Sequence, residues 1–148
     1  MRLEKRVCPD RAVSYFDEGF NCAQSVLLAV QEYWNEEKAL EPKVASAFGG
    51  GIGRKGSLCG ALTGGVIAIG SRHGTNRPIS REREKAYSLA SKFYDLFEKE
   101  CGSVLCEDLI RYDLSNPDEL QAARDSDVFG KKCVHFVRKA VQILLQLC

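Results

Sequence analysis

The chain has 148 residues, 21 Lys+Arg against 20 Asp+Glu for a net charge of +1, and 45% hydrophobic residues. That is enough for one domain spanning 1–148 with a core that needs no disulfide staples. Charges of both signs are interspersed, which leaves no basic stripe for a nucleic-acid backbone. The longest uncharged stretch, which contains Leu58 to Ser71, is Gly-rich and short of the roughly 20 apolar residues of a membrane span. The opening Met1-Arg2-Leu3-Glu4-Lys5-Arg6 is charged and lacks the apolar run of a secretory signal. The expected location is therefore cytoplasmic, where seven cysteines point to metal or redox chemistry rather than to permanent disulfides.

The periodicity is helical almost throughout. A first helix is predicted to begin near Pro9, a residue suited to the first helical position, with Ala12, Val13 and Phe16 facing inward, and Gly19 closes it. Asn21 and Gln24 have capping-box spacing and open a second helix with Val26, Ala29, Val30 and Tyr33 on its apolar stripe. A shorter helix is expected from about Pro42 to Phe48, followed by the Gly-rich run Gly49 to Ser57. The segment Leu58 to Gly70 carries Gly60, Gly64 and Gly65, each costing a helix about 1 kcal/mol relative to Ala. Helix there requires tertiary contact that uses the missing side chains, from another helix or a bound centre. Ser71 to Asn76, including His73, reads as an exposed loop.

Arg81 to Glu100 is the clearest amphipathic helix, with Ala86, Leu89, Ala90, Phe93, Leu96 and Phe97 inward, Ser80 as its N-cap and Gly102 at its end. A short helix from Leu105 to Tyr112 follows, then one opened by Asn116-Pro117-Asp118-Glu119. The last helix is expected after Gly130, with Cys133, Val137, Ala140, Leu144 and Leu147 on one face. The expected fold is all-α, a single-domain bundle of about six or seven helices.

On this map Cys22, Cys59, Cys106 and Cys133 each fall near a helix start. A helix N-terminus favours thiolate over thiol and so lowers a cysteine pKa, and the thiolate is both nucleophile and metal ligand. If the four converge, the set suits thiol exchange, sulfur chemistry, zinc or an iron–sulfur cluster. Cys8, Cys101 and Cys148 fit structural roles: Cys8 near the terminus, Cys101 on an apolar helix face, Cys148 at the last position. No C-x-x-C occurs, and the single C-x4-C of Cys101 and Cys106 lacks the continuation a ferredoxin pattern needs.

The ordered set Phe20-Asn21-Cys22-Ala23-Gln24, Cys59-Gly60-Ala61-Leu62-Thr63-Gly64, Gly102-Ser103-Val104-Leu105-Cys106 and Cys133 resembles the redox-active C-GCAxxG-C-C proteins over about residues 10–147. The chain is also similar to the C-terminal domain of split-Soret cytochromes, in which a non-haem iron–sulfur centre accompanies this kind of domain. The resemblance implies a small helical protein whose Cys22, Cys59, Cys106 and Cys133 carry a redox or metal role. No C-x-x-C-H haem motif is present, so a haem function does not transfer.

Three functions follow from these residues. The first is a redox protein holding an iron–sulfur cluster, with zinc as the alternative metal, on Cys22, Cys59, Cys106 and Cys133, and exchanging electrons with a redox partner. The second is a thiol–disulfide or sulfur-transfer enzyme with Cys59 as nucleophile. The third is a helical interaction protein with structural cysteines. Gly51-Ile52-Gly53-Arg54-Lys55-Gly56 fits G-x-G-x-x-G, but without a preceding strand. It reads better as a loop whose amides, with Arg54 or Lys55, balance charge near Cys59. His73 and His135 are the only histidines and make no evident pair with a cysteine. Gly-rich helix faces permit a homodimer, although packing within the chain explains the same glycines.

Overall fold

The computed structural model describes residues 3–148; Met1 and Arg2, which open the charged N-terminal segment, lie outside the described residues. The described residues form eight α-helices: α1 (Cys8–Asp17), α2 (Cys22–Trp34), α3 (Gly49–Ile52), α4 (Gly60–His73), α5 (Glu84–Cys101), α6 (Cys106–Ile110), α7 (Pro117–Asp125) and α8 (Val134–Leu147). Among the described residues the only β pairing is one antiparallel bridge, Leu58 with Leu105. Among the described residues no helix is long and apolar enough to cross a membrane. The fold class is all-α as expected.

Helices α1, α2, α4, α5 and α8 surround the core, which includes the fully buried Leu27, Val30, Phe93, Phe97, Val137, Val141 and Leu144. The glycines of α4 make this packing close. A Cβ at Gly64 would strike the backbone of Ala23, and one at Gly65 would strike the ring of Phe93. The helix penalty of these glycines is thus offset by the approach of α2 and α5, so contacts within the chain account for both. α1 and α8 are further joined at the surface by an ion pair between Arg138 and Asp10.

Several boundaries differ from expectation for local reasons. The Asn21 capping box forms in full, with Gln24 N–H donating to Asn21 Oδ1 at 2.9 Å and Asn21 N–H donating to Gln24 Oε1 at 3.1 Å. Asn116 likewise caps α7 through the N–H groups of Asp118 and Glu119. Pro42–Phe48 is a 3-10 helix rather than α. Ser80 makes no side-chain cap; Ser80–Arg83 is a 3-10 turn that feeds α5. α4 runs on to His73, so Ser71 to His73 are helical, not loop, and the His73 ring stands edge-on to Trp34 at 6.4 Å. Cys8 sits at no loose end: it is fully buried in α1, its thiol donating to Ala29 O at 3.4 Å.

Candidate functional site

Two of the four predicted cysteines stand where α2 and α4 begin. Cys22 is the first residue of α2, and Cys59 is the N-cap of α4. The N–H groups of Cys22, Ala23, Gly60 and Ala61 are directed at the Cys22 sulfur, and that of Ala61 also acts on Cys59. Two helix starts therefore meet on one sulfur. The sequence reason is Gly60: any Cβ there would collide with Cys22 Sγ, so glycine is what lets α4 begin against the thiol.

Cys106 is brought to the same place by the backbone. Its N–H donates to Ser57 O at 2.7 Å, while Cys59 N–H donates to Val104 O at 2.8 Å, on either side of the Leu58–Leu105 bridge. This two-residue ladder fixes the spacing of Cys59 and Cys106 across 47 positions of chain. Behind Cys106 lies Gly51, where a Cβ would come within 2.7 Å of Cys106 Cβ and of Ser57 N. Gly51 belongs to a run of left-handed residues, with φ of 66° at Gly50, 67° at Gly51, 67° at Ile52, 56° at Gly53 and 67° at Arg54. The G-x-G-x-x-G sequence is thus a left-handed turn that cradles Cys106 and takes no part in a dinucleotide fold. Ile52 and Arg54 hold a conformation costing on the order of 1–3 kcal/mol each, which persists only because the surrounding contacts impose it.

Cys133 does not open the last helix. Phe129–Cys133 is a π-helical turn continuous with α8, and the Val134 N–H bonds to Phe129 O. Cys133 is therefore inside a continuous helix, with no free N-terminus to act on it. The extra residue of a π-turn re-aims the side chains that follow it, a feature often found at functional sites. A helix that starts before Gly130 cannot be read from apolar spacing, which is why the expected start was placed too late.

Cys22, Cys59, Cys106 and Cys133 line one small cavity, closed by Gly60, Leu109, Ile110 and Phe136. Its volume is ≈ 20 Å³. All seven cysteines are free thiols. Burial pushes all four cavity thiols upward: Cys106 to about 12, Cys22 and Cys133 above the ordinary thiol range, Cys59 well above it. The other sulfurs add to the rise: Cys22, Cys106 and Cys133 act on Cys59, Cys22 on Cys106, and Cys22 and Cys106 on Cys133. The expected lowering by helix N-termini is therefore overturned, because desolvation outweighs the N–H groups that oppose it.

Among the described residues, no three His, Cys, Asp or Glu side chains form a group that could hold a metal ion. The other expected partners lie elsewhere. Neither histidine lines the cavity, and His135 is exposed on α8. Arg54 points into a neighbouring groove instead of the cavity, and Lys55 is exposed. Cys101 borders an outer groove that shares Leu109 and Phe136 with the cavity. The Gly51 cradle and the Leu58–Leu105 bridge escaped sequence reading; their only signal was the density of glycine before Cys59.

A helical bundle that gathers four thiols at the ends and bends of its helices defines a small cysteine-centred protein. The chain belongs to the C_GCAxxG_C_C family, described as "Putative redox-active protein", which it matches over residues 20–147. It is 30% identical over 145 residues to a protein of Archaeoglobus fulgidus described as "Uncharacterized protein", covering 91% of this chain and 89% of that one. No solved structure matches the chain significantly.

Proposed function

We propose that Cys22, Cys59, Cys106 and Cys133 hold an iron–sulfur cluster that exchanges electrons with a redox partner in the cytoplasm. The observation that carries this reading is convergence: four thiols from separate segments line a single apolar cavity. Four cysteine sulfurs are the common ligand set of such clusters. Glycine at 60 and 51 serves the same arrangement, since a Cβ at either would collide with Cys22 Sγ or Cys106 Cβ and push that cysteine from the cavity wall. When bound, the cluster supplies one-electron transfer at a potential set by its surroundings.

The chain's own residues then have definite roles. The N–H groups of Ala23, Gly60 and Ala61 offset negative charge at Cys22, and Leu109, Ile110 and Phe136 keep water from the sulfurs. Loading a centre larger than a water requires the thiols to turn and open the cavity. Zinc is the weaker metal reading, because it needs its donors gathered tightly around one ion, and no such group is present among the described residues. Thiol exchange started by Cys59 is also weaker. The attacking species is the thiolate, whereas Cys59 is 6% exposed and burial holds it as a thiol.

The test is anaerobic reconstitution with ferrous iron and sulfide, read by visible absorption and electron paramagnetic resonance. Wild type is expected to gain both signals and Cys59→Ser to lose them. A wild-type protein that takes up neither iron nor sulfide contradicts the proposal. Rapid mixed-disulfide formation at Cys59 in the metal-free protein would put the exchange reading in its place.

A further inference from the structure

Beside the thiol cavity lies a groove of ≈ 460 Å³ whose two cations are Arg54 and Arg124. No Asp or Glu lines it, and neither arginine takes a carboxylate partner among the described residues. The lining differs from that of the outer groove by Cys101, where Glu98 and Asp108 share the wall with Arg111 and Lys132. The remaining walls include the polar Asn21 and Ser46, glycine backbone at 49, 50 and 53, and the apolar side chains Leu114, Leu120 and Phe129.

The fold positions Arg54 deliberately. Its left-handed φ of 67° lays the stem across Gly50, where a Cβ would stand 2.9 Å from Arg54 Cγ and 3.6 Å from Leu114 Cδ1. An arginine whose stem lies over Gly50, with a second arginine and apolar side chains lining the same groove, suits a ligand with an anionic head and an apolar body. Guanidinium groups bind carboxylates with a rigid fork of donors, and that gain is larger where no protein carboxylate competes.

We propose that this groove binds a small organic anion, a carboxylate or a chemically similar acid attached to an apolar group. Arg54 and Arg124 take the acid, and Leu114, Leu120 and Phe129 take the apolar part. The groove also borders the thiol cavity, since Asn21 on its wall precedes Cys22, and Phe129 lies four positions before Cys133 in the same continuous helix. That the anion is a substrate for the thiol centre rests on the function proposed above; that the groove binds it does not.

The test uses benzoate as the probe and benzamide as its uncharged counterpart, titrated into ¹⁵N-labelled protein without metal. Benzoate is expected to shift the amide signals of Gly49, Gly50 and Gly53 and the side-chain signals of Arg54 and Arg124 saturably, with benzamide giving no such response. Arg54→Gln and Arg124→Gln should each weaken binding about tenfold or more, while Arg81→Gln, an exposed change on another element, should not. Cys59→Ser should bind benzoate like wild type, which separates this site from the redox reading. Absence of saturation by about 10 mM benzoate, an equal response to benzamide, or unchanged binding in folded Arg54→Gln/Arg124→Gln protein would each overturn the proposal.

Discussion

Buried cysteine is used in two ways in this molecule. Among the long helices, Cys8 is fully buried, gives its one donor to Ala29 O, and packs within the core of α1 and α2. Where the helices begin and the short elements gather, four thiols face one cavity, and Cys22 raises the pKa of the other three. The Cys8 and Cys106 thiols are both pushed to about 12, mainly by burial. A raised pKa therefore does not distinguish the site from the core. The difference lies in what else each sulfur meets: a helix carbonyl at 3.4 Å for Cys8, and three further sulfurs with glycine cradles for Cys106.

The sharpest way to break the contrast is to damage each region separately. Phe93→Ala removes a fully buried ring that packs against Gly65 and is expected to cost about 3–5 kcal/mol, measured by urea unfolding. A smaller loss is expected from Gly60→Ala, about 1–3 kcal/mol from overpacking against Cys22 Sγ. That variant should also lose iron uptake, whereas Phe93→Ala protein that remains folded should keep it. Equal iron loss in both would mean that the site is no more specific than general packing.

The alkaline limb of stability sharpens the comparison from the core side. Burial, with Glu32 nearby, pushes the folded Cys8 thiol up to about 12 from an ordinary 9.0. Its neutral form therefore contributes stability that is fully present below pH 9 and lost as pH rises toward 12. Urea midpoints are expected to fall over that window, and less steeply in Cys8→Ala, with iron uptake of Cys8→Ala retained. The smallest effect has the opposite sign. Nothing lies within 4 Å of a Cβ placed on Gly70, so Gly70→Ala should stabilise α4 by about 0.5–1 kcal/mol.

The same division explains what was legible in the sequence. α2, α5 and α8 announce themselves through apolar spacing, and the Asn21 and Asn116 caps through local side-chain chemistry, because these features depend on neighbours within one or two turns. Cys22, Cys59 and Cys106 could be selected by their place near helix starts, and all four, Cys133 included, by family resemblance. Their geometry could not, because it depends on long-range backbone pairing of Cys59 with Val104 and of Cys106 with Ser57. The left-handed turn at 50–54 and the π-turn before Cys133 break the periodicity on which such reading relies. The sign of the thiol shifts was missed for a related reason: helix starts are visible in sequence, while the depth at which they are buried is not.

The central claim is that the four cavity cysteines act as one ligand set and Cys8 stands apart from them. A native mass spectrum of anaerobically reconstituted protein tests it most directly, comparing wild type with Cys22→Ser, Cys59→Ser, Cys106→Ser, Cys133→Ser and Cys8→Ser. The account predicts bound iron and sulfide in wild type and Cys8→Ser, and their loss or marked depletion in each of the other four. Iron and sulfide retained at wild-type level in those four folded variants, or absent from wild type, would contradict it.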